Sequence, residues 1–400
     1  VIEVLPDLDS RYRYVLTIPA FDEPADFLHK TLGTMLDRDD VVTIVVANVP
    51  DNATPVQIEN THQMFSTVRS LDHVVAIERI SEPIPRRQGV GLARKIAADL
   101  VCALIARGDV DCPLIFMTDA DAKLPPDYFE LGQRPTSPIT EGVFLFPFHH
   151  HAKDRKLQPA ADLYELHIRH YVGGLKSAGS PYAFQCLGST IAIHADTYAA
   201  VRGVPARNAA EDFYLLNKSA KVAPITCLAT PRIEVAARPS HRVPFGTGPA
   251  LMSMPDDVES FTSYNPQIFK ELSSVLQNFK NWGLSGGSIE AQSEVAATCL
   301  GTLNWPDRAL KLAHQHPPGG KRLRAVTEWF DGFRTLRFLR MLADQMPHTP
   351  LLATLRSQHH LPAADSSELL TLLRSEDSLC RLGIPDYLQS TVETSAPIPL

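Results

Sequence analysis

Short apolar runs alternate with amphipathic stretches over the first third of the chain. Tyr14 to Ile18 reads as a strand, stopped by Pro19. Phe27, Leu28, Leu32, Met35 and Leu36 then give a helical stripe. Val41 to Ala47 reads as a second buried strand, ended by the loop-forming Asn48-Val-Pro-Asp-Asn52. Residues 57–69 read as a helix, His73 to Arg79 as a strand, and Gly91 to Ile105 as a helix. Leu114 to Met117 is a short, wholly apolar run, the mark of a strand buried on both faces. This β-α-β-α alternation predicts an α/β, Rossmann-like, mostly parallel sheet flanked by helices.

The next part alternates less regularly. Strands are expected over Gly142 to Phe148, Gln185 to His194 and Arg232 to Ala237. Helices are expected near 160–177, over Asp196 to Arg202, and over 209–219. Residues 238–248 form a loop rich in Pro and Gly. From about 256 the pattern is almost wholly helical, with helices expected at 265–281, 288–303, 321–346 and 365–380. A boundary near 250 follows: residues 1–250 as one α/β domain (halves about 14–125 and 140–250), and 251–400 as a helical C-terminal region, either a cover for the site or a homo-oligomer contact. The tail after 390 is expected to be loose.

The chemistry gathers at one strand end. Leu114 to Met117 runs into Thr118-Asp119-Ala120-Asp121, and Pro125-Pro126 forbids the strand from continuing. Side chains alternate on an extended chain, so Asp119 and Asp121 face the same way. Two carboxylates at the carboxyl end of a buried strand stand where open α/β sheets bind ligands, and their oxygens suit Mn²⁺ or Mg²⁺. The competing reading makes them turn residues.

Composition adds exclusions. The 400 residues are 44% hydrophobic and 21% charged, ordinary for a globular chain. A net charge of -7 argues against a nucleic-acid partner that depends on bulk basicity. No apolar run is long enough for a transmembrane segment, and residues 1–10 lack the regions of a secretory signal. Six cysteines (102, 112, 186, 227, 299 and 380) show no Cys-x-x-Cys pair, which suits a reducing, cytoplasmic setting.

In this order the pieces resemble a nucleotide-sugar glycosyltransferase with the GT-A fold, most like glycosyltransferase family 2, over roughly residues 14–250. Leu16-Thr-Ile-Pro19-Ala20-Phe21-Asp22-Glu23 resembles the family's opening strand and turn. Gly89-Val-Gly91-Leu-Ala93-Arg94 resembles its glycine-led helix start, and Asp119-Ala120-Asp121 its Asp-x-Asp motif. Leu187-Gly188-Ser-Thr190, Arg202-Gly-Val-Pro205 and Ala210-Glu211-Asp212-Phe213 resemble its acceptor half. One departure stands out: two acidic residues usually follow the second strand, and Ala47-Asn48 stands there instead. Asn48 both donates and accepts, which leaves the base open.

The resemblance implies metal-dependent, inverting transfer from a nucleotide-diphosphate sugar donor to a hydroxyl acceptor. It implies donor contacts from Pro19, Ala20, Glu23, Asn48, Arg94, Asp119 and Ala120. It implies metal ligands Asp121, Asp119 and His241, with Asp212 as base and Glu211 positioning it or the acceptor. Each has a plainer alternative: Glu211 and Asp212 complement a helix dipole and His241 is an ordinary loop histidine; His149 to His151 could touch acceptor or metal but read better as a polar strand end. A retaining GT-A enzyme of the mannosylglycerate-synthase type, a nucleotidyltransferase, and an inactive GT-A domain serving as a binding module are the competing functions.

Overall fold

The computed structural model describes residues 6–133, 141–240, 246–255, 257–287 and 293–393. The strands are β1 (Tyr14–Ala20), β2 (Val41–Pro50), β3 (Val74–Ile84), β4 (Leu114–Met117), β5 (Val143–Leu145), β6 (Phe148–His151), β7 (Ile191–His194), β8 (Ile225–Cys227), β9 (Ile233–Ala236), β10 (Thr262–Ser263), β11 (Thr349–Pro350) and β12 (Cys380–Leu382). The main sheet runs β12-β8-β5-β7-β4-β1-β2-β3. Its pairs are parallel except where β7 meets β4 and β5 and where β12 meets β8. The expected fold class is the observed one: an α/β, mostly parallel sheet flanked by helices, with a helical C-terminal region.

The helices before residue 250 or spanning it are α1 (Phe27–Leu32), α2 (Pro55–Val68), α3 (Gly89–Arg107), α4 (Gln158–Ser177), α5 (Ala195–Ala200), α6 (Glu211–Ser219) and α7 (Thr247–Ser253). The C-terminal region adds α8 (Pro266–Ser285), α9 (Glu294–Thr302), α10 (Trp305–Gln315), α11 (Gly320–Trp329), α12 (Gly332–Ala343), α13 (Leu351–His359), α14 (Ser366–Ser375) and α15 (Ile384–Glu393).

Strand alternation divides the core. Val15, Val42, Ile44 and Val46 pack with Ile96, Leu100 and Leu104 of α3 on one face of the sheet. Leu16, Ile18 and Phe116 pack with Phe27, Leu28 and Phe129 on the other. Each such side chain, fully buried, contributes about 1.5–3 kcal/mol. The sheet thereby fixes where β1 and β4 end. The chain places β2 and β3 on one side of β1, then returns to place β4 on the other. The crevice at the carboxyl ends of β1 and β4 is the switch point, the usual ligand position in such sheets.

Several element limits differ from the sequence expectation. The strand expected over Gly142 to Phe148 is two strands, because Pro147 has no N–H for a ladder and the chain leaves the main sheet there. β6 pairs instead with β9. The strand expected from Gln185 begins only at Ile191, after a 3-10 turn at Gly188–Thr190. The helix expected over 321–346 is broken at Asp331, whose carboxylate accepts from Arg334 N at 3.1 Å and starts α12. The helix expected to reach 380 ends at Ser375, and the chain turns into β12. Residues 288–292 of another expected helix lie outside the described residues.

The C-terminal region is tied to the sheet by charge. Glu165 on α4 is fully buried and accepts from Arg374 Nε and Nη2 at 2.8 and 2.7 Å and from Arg169 Nε at 2.9 Å. Arg169 also meets Asp377 at 2.8 Å, as Arg232 does at 2.9 Å. No helix among the described residues is long and apolar enough to cross a membrane. Although burial works against it, the Arg374 and His150 hydrogen bonds hold the Glu165 carboxyl well below the usual range. A depressed carboxyl stabilises above its unfolded pKa near 4 and loses that contribution as pH falls. Arg374→Ala should cost about 3 kcal/mol at pH 7 by leaving a buried charge under-compensated. The cost should shrink in urea melts below pH 4; a loss independent of pH contradicts the assignment.

Candidate active site

A cleft of about 930 Å³ opens at the switch point. Its walls include Pro19 and Glu23 after β1, Asn48 at the end of β2, Arg94 on α3, and Asp119, Ala120 and Asp121 after β4. Glu211 closes the far side. Residues spread over nearly 200 positions of sequence thus meet at one place. Ala20 ends β1 beside them, almost wholly buried.

Arg94 is the centre of the cleft floor. Its side chain is 6% exposed and forms an ion pair with Asp119 on one side. On the other it reaches Glu211 Oε1 from Nε at 3.1 Å. Nη1 donates to Gly188 O at 3.1 Å. A side chain at Gly188 would lie 2.4 Å from Arg94 Nη2, so only glycine leaves the guanidinium its place. The glycines at the start of α3 serve packing too. A Cβ on Gly91 would stand 2.4 Å from Pro205 O and 2.5 Å from Arg207 O. Gly91 N donates to Arg207 O at 2.9 Å, so the helix start holds the loop that leads into Glu211 and Asp212.

A second arginine, Arg238, serves the other acids. Arg238 Nε donates to Asp121 Oδ2 at 2.8 Å, and Nη2 pairs with Glu23. The backbone brings it there: Lys123 and Glu234 exchange hydrogen bonds at 2.8 and 3.1 Å, aligning the segment after Asp121 with β9. Sequence reasoning missed Arg238. The available signal was a pair of carboxylates needing a cation and an Arg directly after a predicted strand. Asp119 and Asp121 do line the same cleft, but through a turn after β4 rather than strand alternation, since Ala122 N donates to Asp119 O at 3.2 Å. Among the described residues, no group of three or more His, Cys, Asp and Glu side chains could hold a metal ion. His241, and Arg242 beside it, lie outside the described residues.

Asn48 is 7% exposed, and its Oδ1 is buried with no hydrogen-bond partner among the described residues. An orphaned buried acceptor in a ligand cleft is costly unless a ligand satisfies it. Of the three histidines, His150 is buried, with its ring 3.3 Å from Glu165 Oε2 and 3.3 Å from Thr247 Oγ1. That makes it a packing residue. Arg86 and Arg87 are exposed.

Glu211 and Asp212 open α6. Ala210 before them holds φ +58°, a left-handed conformation that alanine seldom adopts. Such strain persists where surrounding structure imposes it. Glu211 is buried; Asp212 is half-buried, and its Oδ1 accepts from Phe213 N at 2.7 Å. Burial pushes Glu211 up, opposed by the Arg94 charge. Burial, and then the neighbouring Glu211 charge, raise Asp212 to about 7. A carboxyl held there passes protons near neutral pH.

No protein-family model matches the chain, and no curated protein matches it. Among solved structures it is similar to S. aureus TarS residues 1–349 in complex with UDP-GlcNAc. That match is 12% identical over 97% of this chain and 93% of that one, with a TM-score of 0.39. It is also similar to GalNAc-T7 with UDP, GalNAc and Mn²⁺, 11% identical over 70% of this chain and 53% of that one, with a TM-score of 0.36. At that degree of likeness nothing about this chain's activity follows.

Folded Asp212 keeps its proton to about pH 7, whereas an unfolded aspartate releases it near 4. The folded state therefore binds more protons between those values, and stability falls as pH rises through that window. Asp212→Asn removes the penalty. It should be more stable than the parent at pH 8, on the order of 1 kcal/mol after discounting for its solvent contact, and no more stable at pH 4. Equal differences at both pH values in denaturant titrations would contradict this.

Proposed function

We propose that the protein is a GT-A glycosyltransferase of the family 2 kind, metal-dependent and inverting. It moves a sugar from a nucleotide-diphosphate donor to a hydroxyl. The observation that carries this reading is the bridge made by Arg94, with Asp119 of the donor half on one side and Glu211 of the acceptor half on the other. Asp212 adjoins it with a raised pKa. A nucleotide base meets the orphaned Asn48 Oδ1, which accepts an N–H from the base edge. Pro19, Ala20 and Glu23 border the nucleotide, and Arg238 stands where it can pair with a phosphate.

The oxygen donors Asp119 and Asp121 fit Mn²⁺ or Mg²⁺, and both line the cleft. Asp121 with Asp119 would hold the ion, with His241 a further candidate; Asp121 would share its carboxylate between ion and Arg238. When bound, the ion neutralises the charge gathering on the departing diphosphate. The acceptor oxygen bonds to the anomeric carbon as the bond to the diphosphate oxygen breaks, its electron pair leaving with the diphosphate. The acceptor proton passes to Asp212, and Glu211 orients that carboxylate.

Two experiments test this. Asp121→Ala should abolish the Mn²⁺-dependent part of nucleotide-diphosphate binding in a thermal-shift screen of UDP, GDP and dTDP, while the fold survives. Affinity that ignores both EDTA and the substitution refutes the metal role. Asp212→Asn should lower kcat by roughly 10²–10⁴ with donor affinity little changed. In the parent, kcat/KM should rise with pH through about 7, because the base must be deprotonated. Near-normal turnover of Asp212→Asn removes Asp212 from the role.

A further inference from the structure

A second cavity, of about 320 Å³, adjoins the cleft and shares Asp119, Val235 and Thr247 with it. Ile168, Val172, Leu175, Phe184, Phe213 and Leu336 give it apolar walls. Phe213 directly follows Asp212, although the Asp212 side chain itself lines neither space. Asp212 lies close enough to raise the pKa of Tyr164 and Cys186 on its walls, behind the larger effect of burial. Asp119 is the one charged side chain that lines it among the described residues. The volume is that of a small-molecule site.

Tyr171, Gln185 and Ser189 bring polar groups to its walls, while Asn217 and Tyr182 are committed elsewhere. Asn217 Nδ2 donates to Asp331 at 3.1 Å, and its Oδ1 accepts from Gly332 N at 2.9 Å. Tyr182 donates to Thr327 O at 3.3 Å. Thr335, on α12, differs: it is 1% exposed, lines the cavity, and its Oγ1 has no partner among the described residues. A buried threonine commonly bonds the carbonyl one turn back. Here the hydroxyl is left to whatever fills the space.

We infer that this cavity holds the acceptor, and that the acceptor is an uncharged alcohol with an aromatic or branched hydrocarbon body. Its reacting hydroxyl lies at the Asp119 and Phe213 mouth, and a second hydrogen-bonding group meets Thr335 at the α12 end. The inference rests on the glycosyl-transfer reading for its chemistry. The Ile168, Val172, Leu175, Phe184 and Leu336 walls favour a hydrocarbon body over a hexose, because ring hydroxyls against them would go unpaired. Among the described residues no cation lines the cavity, which argues against a phosphorylated acceptor. The C-terminal region thereby supplies the selectivity of the site.

The test uses the full chain without nucleotide. Calorimetry compares 2-(4-hydroxyphenyl)ethanol with 2-phenylethanol and glycerol. The diol should bind, phenylethanol more weakly, and glycerol not at all over the same range. Thr335→Val should weaken the diol about three- to tenfold, one hydrogen bond's worth, and leave phenylethanol unchanged. Leu336→Trp should abolish both, yet keep nucleotide-diphosphate binding with Mn²⁺, since Leu336 does not line the donor cleft. That retained binding also reports folding. Glycerol or glucose binding as well as the diol, or full diol affinity in Leu336→Trp, overturns the assignment. If the diol series behaves as expected while no nucleotide diphosphate binds the parent, the transferase reading falls and the cavity assignment stands.

Discussion

One buried guanidinium organises this molecule. Arg94 reaches the end of β4 through Asp119, the turn before β7 through Gly188 O, and the start of α6 through Glu211. These segments come from the two halves of the α/β region, and without a shared cation their carboxylates repel. Removing one partner of a buried ion pair costs far more than the pair gains over an apolar substitute. The arrangement is therefore unforgiving, which keeps the acids at fixed separations. Gly188 and Gly91 belong to the same constraint, since both leave space for a neighbour that a side chain would displace.

The two arginines divide the acids between them. Arg94 leaves Asp212 without a direct ion pair, and burial beside Glu211 keeps its proton near neutral pH. That is a poor arrangement for stability and a suitable one for a base. Arg238 holds Asp121 and Glu23 at the opposite rim. In the proposed function a divalent ion would have to share Asp121 with this arginine. Ala210 adds local strain at the same place.

Much of the architecture was legible because β1, β2 and β4 are buried runs, although β1 continues through Pro19 to Ala20 and β2 through Asn48 to Pro50. A two-faced strand leaves an unmistakable apolar run, and α3 a helical stripe closed by Gly108. The gathering of Asn48, Arg94, Asp119, Asp121 and Glu211 in one cleft was legible through motif order. β8 and β12 were not, because three-residue strands carry no period. The break at Asp331 was hidden since a capping Asp reads like any exposed acid within a helix. Arg238 was missed because pairing across 117 positions leaves no local pattern. The apolar cavity was invisible for a similar reason: its walls come from α4, α6, α12 and the loop before β7, each of which reads simply as core.

The stereochemistry of transfer bears most directly on the account. A base at Asp212 working with a single displacement must invert the anomeric carbon. Proton NMR of the first product formed, recorded before any anomeric exchange, reads this from the coupling of the anomeric proton. Inversion relative to the donor is the expected result. Retention would mean that Asp212 does not act as the base of a direct displacement.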